Sequence, residues 1–395
     1  MESFLLSRLP RITFGAGSVT ELPVAVRRHG SRCLLVTGRR TFERLGLGDL
    51  DRRLGDAGVQ LVGSSGVPTE PGPEVIDDLA ATARDLGADV VVGIGGGSVL
   101  DTAKAIAGLV RTGSSVMDHL EGVGRGVPYE GPAIPFVAVP TTAGTGSEAT
   151  RNAVVTVRGA EGYKRSFRDE RLIAAEAVID PDLLAGCGRE LIAANGLDAL
   201  VQLLEAFVSR RANRMTDALA LDGLAAVRDG LLVWHGDPAG PTAPDARARM
   251  AYAALLSGIC LANAGLGAVH GLAAPIGSLL PIAHGAACGA LVVATVRTNV
   301  ARLVEVGDGE RLARYAMAGR VLAGLPGAHD VEARLALVEL LGSWTATLET
   351  PGLGSLGLGS DQVDLVLAGV STSSLSTNPV ALDRDDLAAI VTASL

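Results

Sequence analysis

Four short, nearly unbroken apolar runs constrain the fold of this chain more than any other feature. They occupy residues 33–37, 59–62, 90–94 and 136–139. A strand with one wet face alternates apolar and polar residues. An unbroken run suits a strand buried on both faces, as in a parallel sheet. Helical periodicity separates the runs, for example over residues 74–86. This alternation predicts a doubly wound α/β unit. Near residue 180 the pattern changes. Pro181 follows Asp180, and proline restricts both itself and its predecessor. Beyond it, residues 191–208, 216–233, 246–262, 310–322 and 331–348 carry apolar side chains at three- and four-residue spacing, which predicts amphipathic helices. The expected architecture is α/β plus all-α, with an N-terminal doubly wound parallel-sheet domain over 1–180 and an all-helical domain over 181–395. The glycine-rich stretch 352–359 is expected to be a loop.

Composition narrows the function. With 395 residues, 48% of them hydrophobic, the chain has apolar material for two cores. Aromatics are 3% and glycines number 51, so those cores must be built from Ala, Leu and Val. A formal net charge of −9 with no basic stripe argues against nucleic-acid binding, which needs clustered Lys and Arg. Cys33, Cys187, Cys260 and Cys288 are far apart, so zinc-finger and dithiol readings fail. The N-terminus holds only three consecutive apolar residues, and the longest apolar run, 286–296, is well under the roughly 18 needed to span a bilayer. A cytoplasmic protein with reduced thiols and no membrane partner is the expectation.

Two loops carry chemistry. Residues 95–104 read GGGSVLDTAK after the run 90–94. Glycines let the backbone approach a phosphate, and the following helix start offers free N–H groups. An ordinary strand–helix turn would look similar. Residues 140–148 read PTTAGTGSE after the run 136–139, adding hydroxyls and glycines at a second strand end. Two such loops after consecutive buried strands favour a dinucleotide site.

These motifs, with IDPDLL at 179–184, HGLAAPIGSLLPIAHG at 270–285 and the ending at 374–395, resemble those of the iron-containing (group III) alcohol dehydrogenases over essentially the whole chain. The resemblance implies a homodimer or larger homo-oligomer, NAD or NADP as cofactor, and a site between the two domains. It also implies that Gly38, Gly96, Gly97, Ser98, Asp101, Thr141, Thr142, Thr145 and Lys164 contact the cofactor. Asn152 matches a substrate-facing position, and its neighbour Arg151 is a candidate grip for an anionic aldehyde, since a guanidinium holds an anion through two parallel hydrogen bonds. Arg151 turned away onto a surface acid is the alternative.

The metal motif departs from the family. Family members use an Asp and three His for a divalent metal such as Fe2+ or Zn2+. Here Asp198, His270 and His284 match, but the His four residues after Asp198 is Gln202. Asp198 and Gln202 share a helix face. A Gln carbonyl oxygen is a weaker ligand than imidazole for these ions, so a weakened site is expected. Metal-free cleft histidines are the alternative. A further family histidine, used in proton transfer, is replaced by Ala274, which leaves His270 and His284 as the candidate catalytic residues. Glu205 on the same stripe reads as structural.

The expected function is an NAD(P)-dependent alcohol dehydrogenase or aldehyde reductase. It would move hydride reversibly between nicotinamide and a small aldehyde or alcohol, with an anionic aldehyde favoured if Arg151 faces it. Two alternatives stay open: a sugar-phosphate cyclase of the dehydroquinate-synthase type, and a catalytically impaired cofactor-binding homologue. In many family members an Asp, which repels a ribose 2′-phosphate, stands where Gly38 is. Gly38 removes that repulsion, and Arg39 or Arg40 would pair with the phosphate. NADPH is therefore expected to be accepted. Steady-state kinetics with both cofactors check this, and a preference for NADH above about 100-fold in kcat/KM, roughly 2.7 kcal/mol, would overturn it.

Overall fold

The computed structural model describes residues 3–38, 41, 45, 47–68, 70–159, 161–370 and 372–395. Arg39 and Arg40 lie outside these. Six strands form one parallel sheet in the order β1-β8-β5-β4-β2-β3. They are β1 Arg11–Phe14, β2 Arg32–Gly38, β3 Gln60–Val67, β4 Val90–Gly95, β5 Phe136–Pro140 and β8 Glu176–Ile179. β6 Asn152–Val157 and β7 Tyr163–Arg168 form a separate antiparallel hairpin. All four apolar runs are strands. The sequence pattern missed β1, β8 and the pairing of the hairpin. β1 is an edge strand with little burial. β8 is wholly buried but begins with a charge, Glu176, which pairs with Arg28 and lies 3.1 Å from His29 Nε2.

Alternation along the strands explains why they read as unbroken. In β2, Cys33 and Leu35 join one apolar cluster while Leu34 and Val36 join another. In β4, Val90, Val92 and Ile94 point one way and Val91 the other. Helices α3 Pro73–Asp85 and α4 Gly97–Leu109 pack on one face, together with the hairpin residues Ala153, Val155 and Phe167. Helices α1 Leu22–His29 and α2 Leu50–Asp56 pack on the other. A short helix, α5 Val116–His119, follows α4.

The chain leaves β2 toward β3 and leaves β4 toward β5, in opposite directions across the sheet. The crevice between the carboxyl ends of β2 and β4 is thus a topological switch point, where open α/β sheets bind ligands. Gly38 ends β2 and Gly95 ends β4 at that crevice.

The second half is helical: α6 Arg189–Val208, α7 Arg214–Gly236, α8 Ala243–Ala264, α9 Ala268–Leu279, α10 His284–Glu305, α11 Gly309–Ala323, α12 Asp330–Thr347, α13 Val363–Ala368, α14 Thr372–Leu375 and α15 Arg384–Ala393. Residues 352–359 form no helix or strand. Each of the five expected helices is present. Among the described residues there are two apolar clusters, as the composition suggested, but the sheet divides them rather than residue 180. The larger runs unbroken from Leu22 and Val90 through to Val391. By length and mean hydropathy α6 and α10 are each apolar enough to cross a bilayer, which a search for unbroken runs overlooks. In this fold α6 is 83% buried over its most apolar window.

Candidate active site

The loops at the two strand ends close on each other. A Cβ at Gly96 would lie 3.2 Å from Thr142 Oγ1, and one at Gly97 would lie 2.7 Å from Thr145 Cγ2. The glycines therefore serve loop packing as well as backbone access. No side chain caps α4, so its first N–H groups remain available beside half-buried Ser98, Thr142 and Thr145. Thr141 is buried, and its N–H donates to the Gly95 carbonyl at 3.0 Å. Asp101 is already engaged. Its Oδ1 accepts from Ser147 Oγ at 2.5 Å and its Oδ2 from Val154 N at 3.2 Å. It pins the second loop and the hairpin to α4 rather than offering a free carboxylate to a ribose. Lys104 does the same from the next turn. It is fully buried, and its Nζ donates to Ser147 O, Thr150 Oγ1 and Asn152 O at 2.7–2.9 Å. Burial pushes the Lys104 pKa down and lifts that of neighbouring Glu148 to about 7.

Helix α6 joins these strand-end loops to a second group of polar side chains. Gly144 of the loop packs on Asn195, where a Cβ would meet Asn195 Oδ1 at 2.5 Å. Gly146, with φ 59° and the backbones of Ala254 and Gly258 pressed against it, admits no side chain. One turn beyond Asn195, Asp198 enters a wholly buried stripe with Gln202 and Glu205. Two carboxylates in an apolar core need partners.

Those partners come from α9 and α10. Glu205 Oε2 accepts from Gly267 N at 2.9 Å and Oε1 from Val269 N at 2.7 Å, capping α9. Glu205 Oε2 also lies 2.7 Å from His270 Nδ1. That contact fixes Nδ1 as a donor and turns Nε2 toward Asp198 Oδ1, 3.3 Å away. His284 opens α10, which lies so close to α6 that a Cβ at Gly285 would sit 2.0 Å from the Ala194 carbonyl oxygen. His284 Nε2 is 3.9 Å from Asp198 Oδ1, and its Nδ1 is buried with no hydrogen-bond partner. Cys288, one turn along α10, brings Sγ to 3.9 Å from His270 Nε2 and 3.8 Å from His284 Nε2. Asp198, His270, His284 and Cys288 offer one ligand atom each, all within 4.8 Å of one another.

The electrostatics follow. Burial opposes a charge on His270, yet Cys288, Asp198 and Glu205 outweigh it and hold its pKa well above the usual range. Burial, with Lys164 nearby, pushes His284 down to about 3. Asp198 stays below the usual carboxylate range despite burial, because His270, His284 and Gln202 surround it. Burial raises the Cys288 thiol.

Residues 10–181 match the family model described as iron-containing alcohol dehydrogenase, and residues 192–395 match its C-terminal counterpart. The chain belongs to the iron-containing alcohol dehydrogenase family. It is 34% identical over 291 residues to the lactaldehyde reductase of Escherichia coli K12, covering 72% of this chain and 73% of that one. To the NAD-dependent methanol dehydrogenase of Bacillus methanolicus it is 31% identical over 279 residues, covering 70% and 71%. The structure of an archaeal halo-thermophilic alcohol dehydrogenase from a Red Sea brine pool superposes with a TM-score of 0.90 at 27% identity, covering all of both chains.

Within this dehydrogenase three expectations change. Gln202 is not turned to offer an oxygen. Its Nε2 donates to Asp198 Oδ1 at 3.1 Å, while its Oε1 accepts from Ser257 Oγ at 2.8 Å. Reversing the amide would press two oxygens together at that 3.1 Å separation. Arg151 turns away from the histidines. It pairs with Glu170 at 3.7 Å and lines a separate pocket with Arg210, Arg211 and Arg214. Asn152 Oδ1 accepts from Arg168 Nε at 2.9 Å, so that oxygen is occupied. Lys164 pairs with Glu70 at 2.9 Å, yet stands near enough to His284 to shift it. Ala274 lies one turn past His270 and brings only a methyl group. Sequence reasoning missed Cys288, Glu205's role and Ser257. The i, i+4 spacing of His284 and Cys288, and of Asp198 and Gln202 extended to Glu205, was the available signal.

Two outcomes follow. Glu205→Ala strips three donors of their acceptor at once and should lower zinc affinity by about 10–100-fold, measured by chelator competition. The protein should also melt earlier. In the metal-free protein, His284 has a folded pKa of about 3 against an ordinary 6.5. The unfolded chain therefore binds more protons between those values, and stability falls as pH drops from about 6.5 toward 3. Denaturant melts of His284→Gln should show a shallower loss over that window.

Proposed function

We propose that this alcohol dehydrogenase reduces small aldehydes with NAD(P)H, and runs in reverse on the alcohols. One observation carries the reading: α6 touches the second strand-end loop through Asn195 and, one turn later, holds Asp198 in the ligand cluster. Cofactor loop and metal cluster are thereby built on one rigid element. Residues 1–180 form the unit for the dinucleotide and 181–395 the unit for metal and substrate. Gly38, Gly96, Gly97, Ser98, Thr142 and Thr145 line the cofactor crevice.

The buried cluster fits a divalent cation. It offers a carboxylate, two imidazoles and a thiol, and one imidazole is already oriented by Glu205. When bound, such an ion polarises a carbonyl oxygen and stabilises the developing alkoxide. Both ring nitrogens of His270 face acids, so His270 orients rather than shuttles protons. His284 turns Nε2 to the same cluster and leaves Nδ1 buried without a partner, which suits a ligand rather than a proton carrier. The net reaction is aldehyde plus NAD(P)H plus a proton giving alcohol plus NAD(P)+. Relatives named for methanol and lactaldehyde support small substrates. Arg151 gives no support to an anionic one. The open edge strand β1, with Ile12 and Phe14 exposed, supports a homodimer.

The test is oxidation of NADH and NADPH against a panel of small aldehydes. Stoichiometric NAD(P)+ and alcohol are expected. Binding of the cofactor without net turnover would point instead to a cyclase of the dehydroquinate-synthase type or an impaired homologue.

A further inference from the structure

The ligand cluster differs from an Asp-and-three-His set in two places at once. Gln202, at the position of the missing histidine, is drawn out of the cluster by Ser257 and donates to Asp198 instead. Cys288 enters it from another helix. We propose that the Cys288 thiolate is the fourth metal ligand of this protein, completing an Asp198–His270–His284–Cys288 site, with Gln202 acting only to hold Asp198. This rests on reading the cluster as the metal centre of the dehydrogenase.

The geometry supports a four-ligand set that keeps room for a substrate oxygen as a fifth ligand. Metal–nitrogen and metal–oxygen bonds of about 2.1 Å and a metal–sulfur bond of about 2.3 Å require ligand-to-ligand edges of roughly 3.4–3.6 Å. Four edges of the cluster measure 3.3, 3.9, 3.9 and 3.8 Å. They span that requirement to within a few tenths of an ångström, without any side chain changing helix. Position adds to this. His284 and Cys288 are i and i+4 on α10, so both face α6, and the close approach at Gly285 sets their distance from Asp198. Cys288 is fully buried, and its sulfur faces two imidazole nitrogens. On binding, the thiol proton leaves to solvent and the sulfur takes up the ion as thiolate. Thiolate is a soft donor, so the site should take Zn2+ or Co2+ in preference to hard ions such as Mg2+ or Mn2+.

Cobalt reports the donor atom directly. Full-length apoprotein, stripped with chelator and titrated with Co2+ under anaerobic conditions, should show a thiolate-to-cobalt charge-transfer band in the near ultraviolet. The other cysteines, Cys33, Cys187 and Cys260, lie outside the cluster, so the band can only come from Cys288. Cys288→Ser should lose the band, keep the weaker visible cobalt bands, and bind Zn2+ at least about 100-fold more weakly. Wild-type protein that binds one Co2+ without the band overturns the assignment, and this holds even if the variant does not fold. Unchanged Zn2+ affinity in a folded Cys288→Ser overturns it too. Turnover of aldehydes without the band would defeat the ligand assignment alone. The band without any turnover would defeat the dehydrogenase reading alone.

Discussion

The centre of the helical half is arranged around two carboxylates on one buried stripe of helix. Asp198 and Glu205 stand seven residues apart on α6, in the middle of the larger apolar cluster. Unpaired charge there would cost several kcal/mol per ion, so the surrounding helices must bring donors to it. Glu205 takes two backbone N–H groups and one imidazole. In doing so it fixes where α9 begins and which nitrogen of His270 looks inward. Asp198 takes what remains: the imidazole of His270 and the amide of Gln202, with His284 Nε2 3.9 Å away. The functional cluster is thus the solution to an electrostatic problem created by the core.

The first half solves a different problem, that of bringing two strand-end loops together over one crevice. Lys104 and Asp101, a turn apart on α4, tie down the second loop and the hairpin from beneath. These are motif residues of GGGSVLDTAK, yet their work is internal. The groups left partly open at the crevice are the small ones, Ser98, Thr142 and Thr145. A motif residue can thus serve the shape of its loop rather than a ligand directly.

The sequence displayed the central strands and the long helices because burial on both faces, or on one helical stripe, leaves a periodic trace. It hid β1 and β8, one too exposed and the other opening on a charge that needed Arg28 and His29 to be tolerable. Asp198, His270 and His284 were legible through spacing and resemblance. Cys288 was not, because a single cysteine among small residues looks like ordinary core until α10 is set against α6. Gln202 misled for a related reason. Its side chain is defined by Ser257, which sits on α8, 55 residues further along the chain. Arg151 was decided by Glu170, another contact no local pattern reports.

The larger apolar cluster passes from the underside of the sheet into the helical half without a break. Such continuity packs the two halves against each other instead of leaving them joined by a linker alone. A ligand that bound only the native fold at the strand ends would, through this seam, also resist unfolding of the helices that carry the cluster. A recombination event that swapped the halves between distant relatives would have to rebuild this seam, not merely rejoin a linker. The seam thereby restricts which pairings of cofactor and substrate preference evolution can sample.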